Sequence, residues 1–149
     1  MTADPVTPSA LPAARQAELR AARAANEAAE RPPYAWTRLD AADVAWLIQE
    51  HGWAIEDAPG PRVDLRQANL AHIDLAGQRL RFAHFEGTVL FGANLRDSDL
   101  FFSHFMGADL RAIEAEGAQM AMVRMREARL AGAQLQRANL RQCWLPEAD

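Results

Sequence analysis

Only one cysteine, Cys143, occurs among the 149 residues, so no internal disulfide can form and a reducing, cytoplasmic setting is expected. Lysine is missing altogether, and all sixteen basic residues are arginine. The arginines do not cluster, so they read as the coding bias of a GC-rich genome rather than as a nucleic-acid footprint, and no direct nucleic-acid binding is expected. No stretch approaches the roughly 20 consecutive apolar residues of a membrane-spanning helix, and the first residues lack the succession of a signal peptide, so no membrane partner is expected. Also missing are a Walker-type phosphate loop, a dinucleotide-binding glycine motif, HExxH, paired CxxC and a GxSxG turn. The chain therefore reads as a non-enzyme, with no catalytic residue, no cofactor and no metal assigned.

What is there is a period of five. From Pro61 the chain divides without insertion into units such as VDLRQ, ANLAH, IDLAG, ANLRD and SDLFF. Leu65, Leu70, Leu75, Leu80, Leu90, Leu95, Leu100, Leu110, Leu130, Leu135, Leu140 and Leu145 all fall in the central slot. Phe85, Phe105, Met120 and Met125 take the same slot, and Ala115 is its one small occupant. Two residues earlier the side chain is small or β-branched, with Gln78 the exception; two residues later stand six of the eight glycines. Such a slot suits a corner at which the backbone takes positive φ.

Five is not a helical period, because apolar residues at that spacing drift around an α-helix without making a stripe. An odd spacing also alternates the faces of a plain strand. A short extended piece with two inward side chains, then a turn, satisfies the pattern. A longer period supports it: Phe82-Ala83-His84-Phe85-Glu86-Gly87 recurs twenty residues on as Phe102-Ser103-His104-Phe105-Met106-Gly107. Four units then make one coil, and coils stacked at ~4.8 Å give a rod about 20 Å long.

These units resemble the pentapeptide repeat family, whose motif is A-[DN]-L-x-x. The resemblance covers residues 61 to 145 and implies a mainly β fold, a right-handed quadrilateral β-helix of about four coils. The family it points to includes topoisomerase inhibitors that mimic DNA, domains fused to signalling proteins and many other members. Mimicry of DNA needs an acidic rod, yet residues 61 to 149 hold eleven acidic and eleven basic side chains, and the net charge of −4 arises in the first sixty. The leading expectation is an interaction scaffold with an unidentified protein partner; the alternative is a DNA-mimic modulator of a type II topoisomerase.

Three regions are expected: a flexible arm over 1–11, a helical segment and cap over 12–60, and the solenoid over 61–149. Residues 12–31 are strong helix formers with only Leu19 as a large apolar anchor, which predicts a loosely docked helix ended by Arg31-Pro32-Pro33. Asp40 is the expected N-cap of a second helix over 41–51, with Asp43 three residues on and Gly52 beyond its end. This helix, with Trp36, Trp46 and Trp53 around it, is expected to plug the open first coil, a partner-binding role being its rival.

On the rod's outer wall, Phe82, Phe102 and Met122 should stack at one corner with Phe101 beside them, while Phe91 and Met106 face outward nearby. Such apolar surface marks an interface or is covered by residues 12–36, including Tyr34 and Trp36. The column Asp64, His84, His104 offers metal-type ligands, but a flat wall converges them poorly and Arg124 follows, so a solvated ladder is the reading taken. Beneath Trp144 and Leu145 the last coil is left open, which predicts end-to-end pairing of two chains or a longer parent protein. Cys143 sits in an inward slot and is expected to be inert.

Overall fold

The computed structural model describes residues 11–50 and 63–148. Expectations for residues 1–10, for Gly52 and Trp53, and for Pro61 as the start of the repeat lie outside these residues.

Every corner of the solenoid is built the same way. The N–H three residues after a central residue donates to its carbonyl, as Ala68 does to Leu65 at 3.1 Å and Ser98 to Leu95 at 3.2 Å. The residue two after the centre takes positive φ, from Gln67 at 58° through Gly77 at 66° to Glu147 at 58°. Positive φ confined to the third turn residue is the signature of type II. Glycine is the cheap occupant there, yet Phe82, Phe102 and Met122 hold φ values of 60°, 58° and 59°. Before each turn, Asp or Asn in the outward slot often accepts from the N–H two residues on, as Asn94 does from Arg96 at 3.2 Å and Asp109 from Arg111 at 3.3 Å. This local turn is the physical reason for an Asx residue in the motif.

Between coils the backbone pairs in parallel, one residue at a time. The bridges run Asp64, His84, His104, Arg124, Trp144 in one column, and three further columns start at Asn69, Asp74 and Arg79, each step being twenty residues. Leu65 donates to His84 at 2.8 Å, while His84 donates back to Val63 at 3.0 Å. Each extended piece is too short to form a regular strand among the described residues, so the regular elements are two helices and the rest is turn and bridge.

The central residues point inward. From Leu65 to Met125 all are buried, Ala115 and its neighbour Ile113 included. Phe85 and Phe105 lie flat on one another, centroids 4.6 Å apart and planes 5° from parallel. Polar side chains in the small inward slot are satisfied by carbonyls: Thr88 donates to Leu65 at 2.8 Å and Ser103 to Leu80 at 2.7 Å. Gln78, the exception, is exposed.

The N-terminal elements are α1 (Ala13–Ala28) and α2 (Ala41–Glu50). The end of α1 comes before the expected Arg31-Pro32-Pro33. Glu30 takes φ 56°, and the N–H groups of Glu30 and Arg31 bond back to Glu27 at 3.0 Å and Asn26 at 2.9 Å. This is a Schellman ending with glutamate where glycine usually stands. Docking of α1 is firmer than its composition suggested, because Leu19 is 1% exposed and Arg15 grips buried Asp43 with bonds of 3.0 and 2.7 Å. That pair holds the Arg15 guanidinium well above its ordinary pKa. Asp40 and Asp43 cap α2 reciprocally at 2.8 and 3.1 Å.

The residues between the helices act as an extra rung. Trp36 donates to Gln67 at 2.7 Å, Asn69 to Thr37 at 2.9 Å and Leu39 to Asn69 at 3.1 Å, so one wall of the first coil is paired at its edge. Val44 and Leu47 of α2 close over the same end, in one apolar cluster with Val63, Leu65 and Leu70. Trp46 packs partly against this cluster, whereas Trp36 is 67% exposed with Arg31 stacked on it at 4.9 Å, so it plugs nothing.

Candidate functional site

Stacked corners place Phe82 above Phe102 and Phe102 above Met122, while the slot one residue earlier brings Phe101 alongside. The rings of Phe82 lie 5.6 Å from Phe102 and 5.8 Å from Phe101, and the last two are 6.1 Å apart. Met122 extends the row and is 37% exposed. The other two expected members lie apart. Phe91 packs edge-on against His72 at 5.3 Å under Arg111, and Met106 is 38% exposed.

What half-covers the ridge is arginine. Arg81 stacks over Phe101 at 4.8 Å and Phe82 at 5.7 Å, and Arg124 lies 5.8 Å over Phe102. Tyr34 and Trp36, the expected covers, are elsewhere: Tyr34 is buried in the N-terminal cluster and Trp36 stands out under Arg31. Among the described residues no carboxylate lies within ion-pair distance of Arg124. The ridge is an apolar strip flanked by two arginines, of which Arg81 lies 3.7 Å from the Asp99 carboxylate.

The histidine column is also rearranged. Asp64 turns away from it to hold Arg66 with bonds of 2.9 and 2.6 Å. Glu86, which the sequence reading passed over, enters instead: His84 Nδ1 lies 3.0 Å and His104 Nδ1 3.4 Å from its Oε1. The missed signal was the slot one after the centre, which shares a face with the slot one before it. Burial pushes the His104 imidazole below its ordinary pKa. Cys143 donates to the Met120 carbonyl at 2.8 Å, and burial raises its thiol pKa, which suits an inert side chain.

Turn-cornered units, bridged every twenty residues and filled by stacked leucines, define a repeat solenoid. The sequence profile of the pentapeptide repeats matches residues 62–101 and 103–149 in eight copies, more than half of the chain. This chain belongs to the pentapeptide repeat family. Among solved structures it is similar to HetL, a pentapeptide repeat protein involved in heterocyst differentiation regulation in the cyanobacterium Nostoc sp. strain PCC 7120. That match has 28% identity and a TM-score of 0.54, over 56% of this chain and 39% of HetL. A second pentapeptide repeat protein from Nostoc PCC 7120 matches at 27% identity and TM-score 0.57, over 65% of this chain and 74% of its own. QnrB1, a plasmid-mediated fluoroquinolone resistance protein, matches at 20% identity and TM-score 0.44, too loosely to bear on function. No curated protein sequence matches the chain. Among the described residues no helix is long and apolar enough to cross a membrane.

Proposed function

We propose that the protein is a non-enzymatic, cytoplasmic interaction scaffold, a right-handed quadrilateral β-helix that presents the strip Phe82, Phe101, Phe102 and Met122 to a protein partner. The observation that carries the reading is the placing of bulky side chains at corners with φ near 60°. Other corners hold non-glycine residues at the same φ, but Phe82, Phe102 and Met122 are the large apolar ones, and they follow one another in a single column. Outward slots of this repeat are mostly polar, and here apolar side chains continue over three successive coils. With Arg124 beside the rings and Arg81 already facing Asp99, the fitting partner surface is apolar with an acidic group placed opposite Arg124.

Pull-down from host lysate with wild type and Phe102→Asp tests this, followed by direct titration of the captured protein. A partner that binds wild type and weakens at least tenfold on substitution is the expected result. An unchanged set of captured proteins discards the strip, and direct binding of a type II topoisomerase moves the reading to the DNA-mimic alternative.

The open C-terminal coil suits a second copy of the chain. Trp144 and Leu145 are 51% and 42% exposed, and among the described residues the N–H groups of Leu130, Leu135 and Leu140 find no backbone acceptor. Two such edges can pair end to end. Sedimentation that stays monomeric at high protein concentration, for wild type and Trp144→Arg alike, removes this element.

A further inference from the structure

The wall beside the aromatic strip carries a second cluster whose chemistry the scaffold reading does not use. His84 and His104 occupy equivalent outward slots on adjacent coils, bridged backbone to backbone, with ring centroids 5.1 Å apart and planes at 89°. Glu86 lies on the same face. One ligand atom from each residue lies within 4.8 Å of the others. Both Nδ1 atoms converge on Glu86 Oε1, at 3.0 and 3.4 Å. Donors bound to one zinc ion at 2.0–2.1 Å in tetrahedral geometry stand about 3.3 Å apart. Two of the three donor-to-donor distances on the wall are therefore already close to those of a coordination sphere.

We propose that His84, Glu86 and His104 form a binding site for a divalent first-row transition metal of the zinc class. Two imidazoles and one carboxylate are a borderline-soft set that selects such ions over magnesium or calcium, and three protein ligands leave room for water or a partner's side chain. The cluster does not close on itself. Glu86 Oε2 and His104 Nε2 are buried and have no hydrogen-bond partner among the described residues. A buried carboxylate oxygen and a buried ring nitrogen without partners are costly, so the triad's own contacts leave polar capacity open to a ligand. Arg124, next in the column, stacks 5.8 Å over Phe102, and Asp64 holds Arg66 instead of joining the cluster. The backbone rungs on either side hold both histidines in register, with Phe85 donating to His104 at 2.8 Å and His84 to Val63 at 3.0 Å. A flat wall thus converges its ligands because Glu86 reaches both of two edge-to-face imidazoles.

The test is titration of metal-stripped full chain with zinc by calorimetry and with cobalt(II) by visible absorption. Wild type is compared with His104→Ala, Glu86→Gln and, as a control for stray histidine binding, His72→Ala. All three substituted side chains point outward, and circular dichroism with thermal melting verifies that each variant folds. One equivalent should bind wild type and His72→Ala alike, raise the melting midpoint and give a cobalt spectrum. Binding should weaken at least tenfold in His104→Ala and Glu86→Gln. No saturable binding below millimolar metal overturns the proposal, as does equal binding by wild type and both ligand variants.

Discussion

The two ends of the rod are built from the same five-residue units and differ in what lies against them. At the N-terminal end the stretch from Trp36 to Leu39 supplies a rung, α2 seals the apolar interior, and Leu65 and Leu70 are fully buried. At the C-terminal end Leu130, Leu135 and Leu140 are only half-buried and Leu145 is 42% exposed. Identical slots thus have different burial, so the central leucine gains its energy from the coils on both sides of it rather than from its own pentapeptide. Stability in a solenoid is a sum over neighbouring interfaces, and an end lacks one of them.

The strongest way to break this contrast is a matched pair of core truncations. Leu70→Ala should cost about 2–5 kcal/mol in chemical denaturation, whereas Leu140→Ala should cost under about 1.5 kcal/mol, because half-exposed leucine leaves little cavity. Equal losses would mean that the C-terminal coil is covered in solution, as end-to-end pairing would do. Next in size is Arg15→Ala, which strands the Asp43 carboxylate, itself 0% exposed, inside the cap. Breaking such a pair costs about 3 kcal/mol, the low end of the usual range because the Arg15 side chain is 35% exposed. Amide exchange should then speed up over Trp36–Leu39 and leave the last coil unchanged.

The smallest effect is a pH slope from the middle of the rod. His104 has a folded pKa below its value of 6.5 in the unfolded chain, so unfolding takes up a proton as the pH falls. Its contribution is fully present above about pH 6.5 and is lost as the pH falls towards the folded pKa. The slope should vanish in His104→Gln and persist in Leu140→Ala, since neither end contributes to it; melting midpoints between pH 7.5 and 5 check both.

Much of the solenoid is written in single positions. Leucine at every fifth residue marks the interior, and Gly77, Gly87, Gly92, Gly107, Gly117 and Gly132 mark corners that the structure puts at positive φ. The same φ at Phe82 or Arg137 leaves no local trace, because there stacking imposes the turn against the residue's preference. The cap was half legible: Asp40 and Asp43 advertise α2, but the rung formed by Trp36 to Leu39 has no repeat pattern and is created by the edge it pairs with. On the wall, the column rule found His84 above His104 and misjudged their third neighbour. Asp64 has Arg66 two residues on and bonds it locally, while Glu86 reaches across. Side-chain reach is not a property of register.

Bridges that recur at steps of twenty residues make the rod's length come in whole units. Inserting or removing twenty residues would add or drop one storey and leave every column aligned. Losing five residues between Gly87 and Phe101 would slide all later side chains by one wall, splitting Phe82 from Phe102 and His84 from His104 at a stroke. The register of twenty thus accommodates whole-storey insertions and deletions and disfavours any gap that is not a multiple of twenty.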